Sequence, residues 1–214
     1  MTFVIAHRGS AESDRENTLD AFAAAARLGA GWVELDVRST ADSVPVVLHD
    51  RRLPDGRAAC DLAASELPGW LPTLEEALAT CASHHLGVVV EVKELAVAPT
   101  VDGLLRRLDQ LLVVSSFHPV ALELVADVDR ALLVAPGMDA PAAVRVAASL
   151  GCSALHPHGS SVDAALVGAC RKARLDVVPW TVNEPRHLRR MADLAVTAVI
   201  TDDVTTALGI LRSG

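Results

Sequence analysis

The sequence predicts an α/β fold, a single (β/α)8 barrel spanning residues 1–214, on three observations. Short apolar runs of strand length alternate with amphipathic stretches of helix length to the end of the chain, which implies a parallel sheet with helices outside. Polar residues recur at the C-terminal ends of those runs, where barrels of this kind keep their chemistry. No linker, repeat or low-complexity segment interrupts the pattern, so one domain is expected. A doubly wound open sheet is the alternative arrangement of the same elements.

The elements follow in order. Phe3-Val4-Ile5-Ala6 reads as a buried strand ending in His7. Residues Thr18 to Leu28 carry apolar side chains at helical spacing and stop at Gly29, a suitable C-cap. Val46-Val47-Leu48 is a second apolar run, ending in His49. Thr73-Leu74-Glu75-Glu76 opens a helix, with Thr73 as N-cap and Glu76 in the capping-box position. Further strands are expected at Gly87 to Glu91, Leu111 to Ser115, Ala131 to Ala135, Ala154 to His156, Val177 to Thr181 and Ala198 to Thr201. Helical stretches at 100–109, 119–127, 140–150, 162–173 and 185–194 separate most of them. With the strand that carries Glu34 and Asp36 the total is nine strand-like runs for eight barrel positions, and the stretch from Asp36 to Pro45 is too short for a helix. The chain is therefore expected to be irregular over residues 31–49.

Composition narrows the function. A 51% hydrophobic fraction with 21% charged residues belongs to a packed chain, with a core drawn from Ala, Val and Leu because aromatics are scarce. The formal net charge of −8 argues against a general nucleic-acid binder and against charge-driven attachment to an anionic membrane. No apolar run is long enough to span a bilayer, and Met1-Thr2-Phe3-Val4-Ile5 running straight into His7-Arg8 does not read as a signal peptide, so none is expected. Cys60, Cys81, Cys152 and Cys170 lack CxxC spacing and read as reduced structural thiols, so a cytoplasmic location is expected.

The chemistry-bearing residues crowd the first half of the chain. Glu34 and Asp36 stand two apart on a strand, so both project from one face, and Glu91 ends Val88-Val89-Val90 on another strand. Three carboxylates at strand ends repel unless a cation lies among them, and oxygen ligands suit Mg²⁺ or Ca²⁺. The alternative is three solvated charges. His7 and His49, each just past a buried strand, are candidates for general acid and base near neutral pH. Arg8 offers a fork for phosphate oxygens, and Lys93 supplies a second cation on the face of Glu91. Glu16-Asn17-Thr18 fits either helix capping or support of a histidine or the metal. Phe117, in Ser115-Ser116-Phe117-His118, and Trp180 are candidate pocket walls, whereas His156 and His158 flank Pro157 and read as loop residues. No GxGxxG, Walker loop, GxSxG or HExxH is present, which disfavours dinucleotide, NTP, serine-hydrolase and zincin chemistry.

Taken in order, these motifs resemble those of the glycerophosphodiester phosphodiesterases. The set comprises His7-Arg8-Gly9, Glu16-Asn17-Thr18, Glu34-Leu35-Asp36-Val37, Thr40 and Asp42 leading to Pro45-Val46-Val47, and His49-Asp50. Leu71-Pro72-Thr73-Leu74-Glu75-Glu76, Glu91-Val92-Lys93, Ser115-Ser116-Phe117, Trp180-Thr181-Val182-Asn183 and Ile200-Thr201-Asp202 follow. The resemblance implies a TIM-barrel hydrolase releasing glycerol 3-phosphate and an alcohol from small glycerophosphodiesters such as glycerophosphocholine. It implies His7 and His49 as the acid/base pair, and Glu34, Asp36 and Glu91 as ligands of Mg²⁺ or Ca²⁺. Arg8 and Lys93 become phosphate contacts and Trp180 a pocket wall. The nucleophile is either water or the neighbouring glycerol hydroxyl.

Three departures stand out. Arg15 replaces a proline common before Glu-Asn-Thr, residues 194–198 lack the usual Gly and Asp, and the insertion from Asp50 to Leu71 is short. The last implies a more open pocket. The rivals are a phospholipase D-like or phospholipase C-like barrel on lipid phosphodiesters, and a barrel that binds phosphate without catalysis.

Overall fold

Alternation along three neighbouring strands explains the architecture. The computed structural model describes residues 2–10, 13 and 15–212. In β1 (Phe3–His7), β2 (Trp32–Ser39) and β4 (Gly87–Val92), every second residue is an aliphatic in the outer core. Val4 and Ala6, then Val33, Leu35 and Val37, then Val88, Val90 and Val92 face the helices. The intervening positions face inward. The lower ones, Ile5, Trp32 and Val89, join a small interior cluster with Val178, Ala198 and Ile200. The upper ones are His7, Glu34, Asp36 and Glu91, so one face of each strand changes from apolar to ionisable along its length.

The helices follow from caps and apolar stripes. Thr18 accepts a bond from Ala21 N at the start of α1 (Leu19–Leu28), which ends on Gly29 in the left-handed region. Thr73 and Glu76 form the expected reciprocal box at α2 (Leu74–Ser83). After β3 (Pro45–Val47), α2 and β4, the chain continues through α3 (Ala98–Leu105), β5 (Leu112–Ser116), α4 (Pro119–Glu123), β6 (Asp129–Val134), α5 (Ala140–Ser149) and β7 (Ala154–Pro157). It ends with α6 (Ala164–Lys172), β8 (Asp176–Val177), α7 (Pro185–Asp193), β9 (Ala198–Thr201) and α8 (Val204–Leu211).

The strand order is β8-β7-β6-β5-β4-β2-β1-β9, every neighbouring pair parallel. Backbone bonds from Thr197 N to Val177 O, Ile200 N to Pro179 O and Val182 N to Ile200 O span the seam between β8 and β9. The eight-stranded barrel expected from the alternation is present.

The supernumerary ninth run is β3. It pairs antiparallel with the end of β2, Val37 opposite Val47, and stands off the barrel path. The irregularity expected over 31–49 is thus a hairpin, and His49 follows a hairpin strand rather than a barrel strand. The short segment that follows packs on its own small core of Val46, Leu48, Leu53, Ala59 and Leu71. His156 also departs from expectation: it lies in β7, fully buried in the interior, and burial pushes its imidazole down to about 3. All four cysteines are free. Burial pushes Cys81 up to about 12 and Cys170 up to about 11, as inert structural thiols require, whereas Cys60 is exposed.

Candidate active site

The register of three strands gathers the site. His7 is level with Glu34 across β1 and β2, and Asp36 is level with Glu91 across β2 and β4. Glu34, Asp36 and Glu91 are all buried, and each offers an oxygen within 4.8 Å of the others'. Burial pushes Glu34 well above the usual carboxylate range, and repulsion from Asp36 and Glu91 adds to it. Burial and Asp36 raise Glu91 despite Lys93. Asp36 behaves oppositely: burial would raise it, but Lys93 and Arg8 outweigh burial and hold it low. A buried, oxygen-only trio in which two members resist ionisation is the donor set a hard divalent cation stabilises, so the residues present fit Mg²⁺ or Ca²⁺.

Two cations border the trio. Lys93 Nζ lies 2.8 Å from Glu91 Oε1 and 3.1 Å from Asp36 Oδ1. Arg8 Nε lies 3.2 Å from Asp36 Oδ2, while its Nη1 donates to Glu16 Oε1 at 2.7 Å. The Arg8 backbone N–H also donates to Glu34 Oε2 at 3.2 Å. That donation needs a sharp turn after β1, in which Arg8 and Gly9 both take positive φ, 54° and 87°. A Cβ at Gly9 would lie 2.7 Å from the Ala21 carbonyl carbon, so this position admits only glycine. A left-handed arginine costs roughly 1–2 kcal/mol. Bonds from its N–H to Glu34 and from Asn17 N–H to its carbonyl hold it there.

The Glu16-Asn17-Thr18 segment divides three ways. Thr18 caps α1, Glu16 pairs with Arg8, and Asn17 donates from Nδ2 to Asp36 Oδ2 at 2.8 Å. Glu16 therefore supports the arginine, not a histidine or the carboxylate trio.

The histidines flank this centre. His7 Nδ1 is 2.6 Å from Asp202 Oδ1, which leaves Nε2 toward Glu34 Oε2 at 4.0 Å. Asn183 holds Asp202, donating to Oδ2 at 2.6 Å and accepting from its backbone N–H at 2.9 Å. The bond from His7, with help from Asn183, keeps Asp202 below the usual carboxylate range. His49 Nδ1 bonds Asp50 Oδ1 at 2.8 Å, and the carbonyl of His49 accepts from Arg38 Nε and Nη2 at 2.9 and 2.7 Å. Phe117 meets Trp180 edge-to-face at 5.5 Å, His158 meets the same indole at 5.3 Å, and Trp180 Nε1 donates to His156 O. Phe117 and Trp180 thus share a wall, with His158 on its edge.

Asp202, Asn183 and Arg38 hold the two histidines, a role the motif pattern does not assign to them. Asp202 and Asn183 do sit in the last two motifs, Thr201-Asp202 and Val182-Asn183, and that was the available signal. Arg38 was readable as the next inward position after Glu34 and Asp36.

Comparison with known proteins identifies the family. The model of the glycerophosphoryl diester phosphodiesterase family matches residues 7–206. A glycerophosphodiester phosphodiesterase of Caldanaerobacter subterraneus subsp. tengcongensis is 28% identical, covering 100% of this chain and 99% of its own. The structure of an Oleispira antarctica phosphodiesterase in complex with the product sn-glycerol-3-phosphate superposes with a TM-score of 0.90 at 26% identity, covering 99% of this chain and 97% of that one. A glycerophosphodiester phosphodiesterase of Thermotoga maritima gives 0.88 at 26% identity, with 98% of each chain covered.

Proposed function

Since the chain belongs to the glycerophosphoryl diester phosphodiesterase family, we propose how its residues divide the work of cleaving a glycerophosphodiester to glycerol 3-phosphate and an alcohol. The observation that carries the assignment is the buried carboxylate trio bordered by Arg8 and Lys93 and flanked by two histidines that each bond a carboxylate through Nδ1.

Glu34, Asp36 and Glu91 would hold the divalent cation, Mg²⁺ or Ca²⁺. When bound, that cation supplies Lewis-acid polarisation of a phosphate oxygen. Arg8 and Lys93 are charge-paired to Asp36 yet keep further N–H donors for the phosphate, where charge grows in the transition state. A proton on Nδ1 of each histidine, donated to its carboxylate, fixes the tautomer and leaves Nε2 for the reaction. One histidine accepts the proton of the attacking hydroxyl, from water or from the neighbouring glycerol carbon, and the other returns a proton to the departing alkoxide. Phe117 and Trp180 wall one side of the cleft. Glu16 and Asn17 brace Arg8 and Asp36 from outside. The whole chain acts as one catalytic domain.

Among the described residues no helix is long and apolar enough to cross a membrane. We infer a cytoplasmic location from the free thiols of Cys60, Cys81, Cys152 and Cys170.

Phosphorus NMR of metal-stripped protein with glycerophosphocholine tests the assignment. Glycerol 3-phosphate is expected only after Mg²⁺ or Ca²⁺ is added; its formation without added metal would refute the role of the trio. A second reading has one observation in its favour. Leu95, Phe117 and Val120, in the segments that follow β4 and β5, are exposed, as an apolar rim for a lysophospholipid requires. Cleavage of lysophosphatidylcholine in the same assay would support it.

A further inference from the structure

The mouth of the barrel has two unlike sides. One is the Phe117–Trp180–His158 wall, aromatic and free of formal charge apart from the imidazole. The other is an open groove of about 790 Å³ leading away from Asn17 and His49, bordered by Arg15, Arg51, Arg52 and Trp70. Its two acidic neighbours are already committed, Glu16 to Arg8 and Asp50 to His49. Among the described residues no carboxylate is within ion-pair distance of Arg15, Arg51 or Arg52. A chain with 27 acidic and 19 basic residues has carboxylates to spare for such pairs, so three guanidinium groups on one groove with no carboxylate partner among the described residues point to an external anion.

Two of the three are held in place. The Arg15 guanidinium lies 4.0 Å from the Trp70 ring centroid, a stacked geometry that leaves its N–H edges open. Arg52 Nη1 donates to Gly56 O at 2.7 Å, across a tight loop that pairs Arg52 with Ala58. Arg51, beside it, is exposed and makes no bond to a described residue. Guanidinium forks match carboxylate and phosphate oxygens in pairs, and a fixed fork loses less entropy on binding them.

A glycerophosphodiester is unsymmetrical about its phosphorus. The glycerol half is uncharged and gains nothing from three cations, but its carbon framework packs well on an aromatic wall. Granting the phosphodiesterase reading above, on which this step rests, we propose that the alcohol half occupies the arginine groove and carries an anionic group of its own, a carboxylate or a second phosphate. The short 50–71 segment is then not a lost cover. It supplies Arg51, Arg52 and Trp70, and thereby the selectivity for the leaving group.

The test is kcat/KM with Mg²⁺ for glycerophosphoserine and bis(glycerophospho)glycerol against glycerophosphocholine, for the wild type and for Arg15→Gln and Arg51→Gln, with melting curves to verify folding. The anionic substrates are expected to lead by at least about tenfold. Each substitution should shrink that ratio several-fold, and raised salt should shrink it in the wild type. Equal efficiencies, or a lead for glycerophosphocholine, would overturn the proposal and give the aromatic wall to the alcohol. A lead that survives both substitutions would also overturn it. Turnover of no diester would refute the phosphodiesterase assignment itself, and the proposal with it.

Discussion

His7 and His49 make the same bond in opposite surroundings. Each directs Nδ1 at a carboxylate, 2.6 Å away for His7 and 2.8 Å for His49. The His7 side chain is 18% exposed and its partner Asp202 is locked by two bonds to Asn183, whereas the His49 side chain is 36% exposed and Asp50 is 79% exposed. Exposed ion pairs are screened and contribute little, so Asp50 is a weak anchor. What fixes His49 is its backbone: Arg38, buried on the strand that carries Glu34 and Asp36, clamps the carbonyl with two N–H groups. One histidine is thus positioned through its ring and the other through its main chain. A barrel strand end provides the first kind of support; a hairpin loop outside the barrel needs the second.

Removing either ring should erase the difference. His7→Ala and His49→Ala are each expected to lower kcat by about 10³-fold, within the range for general acid–base groups. Thermal melts should stay within a few degrees of wild type, since neither ring lies in the apolar core. A loss below about tenfold for one of them would remove that histidine from the chemistry.

Removing the ring partners should expose the difference. Asp202→Asn keeps the shape but reverses the tautomer preference of His7, and kcat should fall about 10²-fold. Asp50→Asn should cost less than about threefold. Steady-state rates for the pair decide between the two supports, and equal losses would break the comparison. Arg38→Gln then probes the backbone clamp. About tenfold loss of kcat is expected with KM nearly unchanged, along with about 1–3 kcal/mol of stability in urea unfolding. Arg38→Lys should recover part of the rate, because one N–H of the two can be replaced.

The sequence revealed one half of this contrast better than the other. Val33, Leu35 and Val37 alternate with Glu34 and Asp36 in Trp32–Ser39, and Glu91 ends the Val88-Val89-Val90 run, so the carboxylate trio is legible from strand periodicity together with strand ends. The site of Val46-Val47-Leu48 could not. Val47 packs under the outer core while Val46 and Leu48 pack under the 50–71 segment. A hairpin strand covered on both faces has the same apolar run as a barrel strand. His156 was misplaced for a related reason: Ala154-Leu155-His156-Pro157 ends in residues that suit a loop, and only the barrel interior around them makes the imidazole a buried strand residue. Asp202 was hidden by distance, because its partner is 195 residues away and closure of the barrel brings them together.

Acid should sharpen the comparison with the smallest effect. Asp202 is held below the usual carboxylate range, chiefly by the bond from His7. The folded state therefore binds this proton more weakly than the unfolded chain does. The resulting stability is fully present above the ordinary carboxylate pKa and is lost as pH falls through the depressed value. Wild-type protein should accordingly lose stability below about pH 4 more steeply than Asp202→Asn. Melting temperatures across pH 2.5 to 6, taken at about 0.1 M and about 1 M salt where the Debye length is about 10 Å and about 3 Å, would read this directly. If Asp202→Asn and wild type fall in parallel, the bond from His7 adds no acid-linked stability to the folded state, and the ring anchor loses the electrostatic advantage assigned to it.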